Sequence, residues 1–198
     1  MSAVAVSKAR QERLLGTAAV KGGMLQAHLR WAQKRLGHTQ AIAAQLPPDC
    51  AAWLSNQMLV SAWVPFRSLI LIDRAIAAAA GGMPDYVFRD LGRHSATENL
   101  GGVYKAFISS EPHRVFAQMS MLHGRFQNFG RFEYRENGLS AGRITMRDYS
   151  EYSPVYCSSA IGYFEAALKM MHAPGRIMVR ESACQCAGDP QCLFELSW

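Results

Sequence analysis

Apolar residues recur at helical spacing through the first two thirds of the chain and at alternating spacing only beyond Phe126. In the stretch 8–37, Leu25, Leu29, Ala32 and Leu36 line one side and Arg30, Lys34 and Arg35 the other. This is the stripe of an amphipathic helix, with Gly37 to end it and Gly22-Gly23 to separate it from what precedes. Residues 39–46 predict another helical turn, broken by Pro47-Pro48. Pro48-Asp49 starts a helix near Cys50–Met58, and Pro65 sits at or near the start of one that runs to Ala80. Residues 84–109 read as helix with a weak point at Gly101-Gly102, and Glu111-Pro112 opens a further helix through Phe126.

The period then changes. Residues 129–135 alternate large apolar and charged side chains, Asn137-Gly138 signals a tight turn, and the next run puts Ile144 and Met146 on one face. These predict a β-hairpin. Ser153-Pro154 caps a helix over 155–171. Strands follow over 176–184 and 192–198, joined by Gly188-Asp189-Pro190. Helices first and β-β-α-β-β afterwards predict an α+β fold with an antiparallel sheet. We expect one domain over 1–198, mainly helical over 1–125, with the strands in 126–198.

Composition fits this picture: 49% hydrophobic and 18% charged residues make a folded core rather than a disordered chain. The apolar run 58–80 is interrupted by Pro65, Arg67, Asp73 and Arg74, which argues for buried helices and against a membrane span. The N-terminus lacks an apolar signal core, so a cytoplasmic location is expected. The net charge of +6 is concentrated early, with seven basic and two acidic groups in the first 60 residues. Those basic residues carry little aromatic interleaving, so nucleic acid is not an expected partner.

Four of five cysteines fall after residue 150. Glu181 and Cys184 are spaced to chelate one ion, Cys192 lies across the Gly-Asp-Pro turn, and Cys157 can enter from the preceding helix. The set Cys157, Glu181, Cys184 and Cys192 leaves no open position, which suits a structural ion such as Zn2+. The same thiols could equally be buried apolar packing. Cys186 falls outside the set. For a ligand pocket, the candidates are Trp63, Phe107, His113, Phe116, His123, Tyr134 and Tyr163, aromatic walls with imidazoles that can bond a polar group. His94 is a further mid-chain imidazole. No P-loop, nucleophile elbow or acid–base pair is present, so no catalytic residue is expected and the chain is read as a non-enzyme.

The runs EYSPVYCSSAIGYFEAAL and VRESACQCAGDPQCLFEL resemble the 4-vinyl reductase domain superfamily, in particular the aromatic-sensing domain of NtrC-class phenol and xylene activators. The likeness rests on Cys157, Gly162, Tyr163, Glu181, Cys184, Gly188 and Cys192. Upstream segments such as LPPDCAAWL and SAWVPFRSLILIDRAI resemble a myxobacterial-type paralogous family of unassigned function, and the superfamily is similar in fold to Bet3-type subunits of the TRAPP complex. The resemblance implies a structural zinc on those four ligands, a small hydrophobic or aromatic ligand, and a homodimer. With no effector domain after Trp198, it also implies output through a protein partner. A more distant similarity runs to haem nitric-oxide/oxygen binding domains. Their Tyr-x-Ser-x-Arg clamp has no counterpart in Tyr149–Pro154, so haem is not expected. The alternative is a Bet3-like scaffold subunit without a physiological ligand.

Overall fold

A computed structural model of the chain describes residues 18–37, 39–54, 58–102 and 104–198. The helical pattern read over residues 8–15 lies outside them. Strand β1 (Ala19–Lys21) runs straight into α1 (Gly22–Leu36). The Gly22-Gly23 pair, expected as a break, is instead the helix's first turn. Its free amides donate to Ala62 O (2.8 Å) and Val60 O (3.0 Å), so a neighbouring backbone satisfies the orphan donors of the helix start. A Cβ on Gly22 would stand 2.5 Å from the Leu59 carbonyl oxygen, so only glycine admits that backbone. Gly37 closes α1 in the left-handed conformation.

Two short helices, α2 (Gln40–Ala43) and α3 (Pro48–Ala51), lead to β2 (Trp63–Pro65). Pro65 both ends β2 and stands as the N-cap of α4 (Phe66–Ala80), the helix expected to start at or near it. β1 and β2 pair antiparallel with Val20 opposite Val64, a small sheet that the helical pattern of these regions conceals. The helices α5 (Pro84–Gly101) and α6 (Pro112–Leu122) follow, separated by a 3-10 turn at Lys105–Phe107.

The C-terminal part is β3 (Arg131–Glu136), β4 (Ala141–Arg147), α7 (Pro154–Met170), β5 (Met178–Ala183) and β6 (Cys192–Ser197). Its sheet has the order β3-β4-β6-β5, antiparallel throughout, so the fold is α+β. The register places Ile144 opposite Phe194, Met146 opposite Cys192 and Gly142 opposite Leu196. All six of these residues are buried, so one face of the sheet is core. Phe164 of α7 fills that face, with its ring 5.6 Å from Phe194 and 6.0 Å from Phe132. Ser153 caps α7 by accepting the Val155 amide.

Helices α5 and α7 cross at very close range. A Cβ on Gly92 would lie 1.8 Å from Ser159 O, and one on Gly162 would lie 2.0 Å from Arg89 O. The two backbones touch, with no room for even a methyl group at either position. Beside the crossing, Arg93 bonds Glu165 through Nε (3.0 Å) and Nη2 (2.8 Å).

Candidate functional site

The crossing holds α5 and α7 as two sides of a cavity of about 630 Å3. α1, α6, β3, β4 and the connecting segments around Leu59–Ser61, Tyr104–Phe107 and Arg125–Gln127 supply most of the remaining lining. Met24, Leu100, Val115, Met119, Leu122, Phe126, Phe132, Met146, Ala160 and Phe164 give it an apolar wall. Ser95, Asn99, Gln118, Gln127, Ser159 and the tyrosines 104, 156 and 163 add polar atoms, and Lys21 and Arg125 are its cations.

Three of the seven expected pocket residues, Phe107, His123 and Tyr163, are in the wall. The structure places the other four elsewhere, for definite reasons. Trp63 lies in β2 under the Lys21 ammonium, 3.7 Å from its ring centre. Phe116 is fully buried and stacked on Tyr134. Tyr134 lies over Gly142, and its hydroxyl bonds His113 Nδ1 at 2.6 Å. His113 Nε2 reaches the Leu139 carbonyl at 3.1 Å, so His113 and Tyr134 clamp α6 to the β3–β4 turn.

His123 sits in a buried polar network. Gln127 Nε2 donates to His123 Nε2 (2.9 Å) and to the Tyr149 hydroxyl (2.5 Å), and the Tyr156 hydroxyl donates to Gln127 Oε1 (2.7 Å). Burial pushes the His123 imidazole below its ordinary range and the Tyr149 and Tyr156 hydroxyls above theirs. A histidine with a lowered folded pKa binds fewer protons than the unfolded chain does, so acid favours unfolding. Stability is therefore expected to fall as pH drops through about 6.5 towards the lowered folded value. Urea titrations at successive pH values check this, and His123→Gln should flatten part of the fall. His94 contributes in the same direction, its imidazole also held down by burial.

The residue that the sequence reading missed is His28. It lies on the apolar side of α1 between Leu25 and Leu29, is 1% exposed, and belongs to the cavity wall. Its Nδ1 is 2.8 Å from Oδ1 of Asp73 in α4, itself 1% exposed, while its Nε2 is buried with no hydrogen-bond partner among the described residues. The signal was available in Asp73: a carboxylate amid Leu69, Ile70, Ile72 and Ile76 must find a buried partner.

A second cluster lies on the far side of Tyr156. The ligand atoms of Cys157, Glu181, Cys184 and Cys192 all fall within 4.8 Å of one another. Cys157 Sγ is 3.6 Å from Cys192 Sγ and 3.9 Å from Cys184 Sγ, and Glu181 Oε1 is buried without a partner. The hydrogen bond from Cys157 holds the Cys192 thiol down to about 7 and raises that of Cys157, while burial pushes Cys184 up to about 12. Cys186 is exposed.

Comparison with solved structures assigns the architecture. An oxygen-binding H-NOX domain related to soluble guanylate cyclases, in its oxygen complex, superimposes with a TM-score of 0.67 at 12% identity. The match covers 89% of this chain and 94% of that one. The Fe(II) unliganded H-NOX protein from K. algicida gives 0.67 at 10% identity, covering 89% and 95%. The S. oneidensis H-NOX protein in its Fe(II)NO ligation state gives 0.65 at 12%, covering 89% and 98%. This chain has the H-NOX fold. No family model matches the sequence, and no curated protein does.

The H-NOX likeness corrects two expectations. The resemblance to 4-vinyl reductase domains and Bet3-type subunits rested on a C-terminal motif spanning about a quarter of the chain, whereas the match to H-NOX domains spans nearly nine tenths. The cofactor expectation, structural Zn2+ with haem set aside, also falls. Two of the structures that match concern haem: one the modulation of its redox potential through porphyrin distortion, the other the function of haem distortion in the H-NOX family. A missing clamp motif removes one way of holding a haem, not the cavity that would receive it.

Proposed function

We propose that this chain is a non-catalytic sensory domain that takes one small hydrophobic ligand into the α1–α5–α6–α7 cavity. The observation that carries the reading is the cavity itself: about 630 Å3, apolar in its walls, with a few convergent polar groups. It supports a ligand-binding domain over a scaffold without a ligand.

The H-NOX fold implies haem, and the residues present fit one. His28 is an imidazole in the wall with an orphaned Nε2 and a carboxylate behind Nδ1, the arrangement of a metal-ligating histidine. Lys21 and Arg125 are the cations that would meet the carboxylates of the group. Bound haem supplies an iron centre able to take up diatomic gases. The chain's own part is to exclude water with apolar walls and to hold the ligand at His28. Rim residues Leu59, Val60 and Phe107 belong to the cavity lining and are 70%, 51% and 43% exposed, so a homodimer mate or an output protein could read occupancy there. The proposal puts the protein in the cytoplasm. No helix among the described residues is long and apolar enough to cross a membrane.

The test is titration of the purified protein with haem, followed by absorbance, beside titration with a neutral aromatic fluorophore. Saturable one-to-one binding of haem that His28→Ala weakens supports the haem reading. Saturable binding of the fluorophore alone keeps a hydrophobic-ligand sensor without haem. Neither binding sinks the sensor and favours the scaffold.

Cys157, Glu181, Cys184 and Cys192 we propose as a separate cation-binding cluster fastening α7 to the β5–β6 hairpin. The support is four donor atoms from three elements around one point, including the orphaned Glu181 Oε1. Cobalt(II) should give thiolate charge-transfer absorption that Cys184→Ser reduces. An unchanged spectrum on adding cobalt would mean the thiols are packing.

A further inference from the structure

The buried pair of His28 and Asp73 defines more than an imidazole in a wall. Asp73 comes from α4, 45 residues along the chain, and both side chains are essentially inaccessible to water. An ionised carboxylate only accepts hydrogen bonds, so at 2.8 Å the shared proton belongs on His28 Nδ1. Nε2 has no hydrogen-bond partner among the described residues, so a proton there would be a buried donor without an acceptor. With Nδ1 donating to Asp73, Nε2 is the ring nitrogen left to carry the lone pair.

We infer that Asp73 is a positioning residue that fixes His28 in the Nδ1–H tautomer, so that its bare Nε2 is the electron-pair donor of the cavity. The class of ligand follows: one that offers an electron-pair acceptor, as the metal of a planar metalloporphyrin does, inside an otherwise apolar envelope. A ligand offering only carbonyl or carboxylate oxygens gains nothing from that nitrogen. The choice of ligand rests on the cavity reading above, whereas the tautomer does not.

Two measurements separate them. The first is nitrogen-15 NMR of histidine-labelled protein without ligand, in wild type and Asp73→Asn. The expected result is an unprotonated Nε2 and a protonated Nδ1 in wild type. In Asp73→Asn, whose amide can donate to Nδ1, the tautomer should shift towards Nε2–H. A protonated Nε2 in the wild type overturns the inference. The second is haem affinity, read by absorbance. Loss of an outer carboxylate typically costs about 10–100-fold in metal affinity, and a loss of that size is expected for Asp73→Asn with an altered absorption band. His28→Gly should lose binding and recover it when free imidazole is added. Equal haem affinity and an identical spectrum in Asp73→Asn overturn the positioning role. Failure of wild type to bind haem defeats the ligand class alone, and the NMR result still decides the tautomer. Circular dichroism of each variant shows whether it is folded, and Asp73→Glu, which keeps the acceptor, should retain the wild-type tautomer if it folds.

Discussion

Gly162→Leu is expected to abolish the cooperative folded state. At this position even a methyl carbon would stand 2.0 Å from the Arg89 carbonyl oxygen, an atom fixed in the α5 backbone that no rotamer change can move. Ordinary overpacking costs about 1–3 kcal/mol because side chains give way. Here a helix must give way, and a domain has only about 5–15 kcal/mol to lose. Gly162→Ala should melt well below wild type, as should Gly92→Ala, whose Cβ would meet Ser159 O at 1.8 Å. Gly124 is the internal control: nothing lies within 4 Å of the point where its Cβ would stand, and Gly124→Ala should melt as wild type does. Equal melting of Gly162→Ala and Gly124→Ala would show that α5 and α7 do not cross as described.

Ala160→Phe is expected to empty the site of its ligand while leaving the fold intact. Ala160 is a wall residue on α7, two positions before the crossing glycine, and a benzyl group there has the cavity to enter. Filling a cavity restores packing contacts, so the melting temperature should hold or rise. Binding of the haem or fluorophore probe should fall about hundredfold or more, equivalent to about 2.7 kcal/mol or more. Undiminished binding in a folded Ala160→Phe protein would place the ligand somewhere other than this cavity. This variant complements those at His28, because it removes space rather than chemistry.

The C-terminal half was the most readable from sequence. Alternation in β3 and β4, the Asn137-Gly138 turn and the Ser153-Pro154 cap are local signals, and they correspond to elements within a residue or two. The proximity of Cys157, Glu181, Cys184 and Cys192 could also be read, because one hairpin and one helix bring them together. The β1–β2 sheet could not: each strand has three residues, and its pairing spans more than 40 positions. The His28–Asp73 pair was half visible: Asp73 amid Leu69, Ile70, Ile72 and Ile76 calls for a buried partner, but that the partner is His28 shows only when α1 and α4 are packed together. His113 and Tyr134 misled for the opposite reason, since their chemistry suits a ligand but they satisfy each other.

The glycine crossing also divides the molecule mechanically. α5 and α7 meet backbone to backbone and are tied again by Arg93 and Glu165, so they turn as a single lever, not as two helices sliding past each other. Any adjustment to an occupant must therefore be taken up on the opposite side, by α1, α6 and the 58–62 segment that holds the first turn of α1 through Gly22 and Gly23. That side carries His28 and adjoins the exposed apolar rim at Leu59 and Val60. The wall left to adjust, the His28 imidazole and the exposed apolar rim thus coincide, and in the proposed sensor a change inside the cavity would have a short route out.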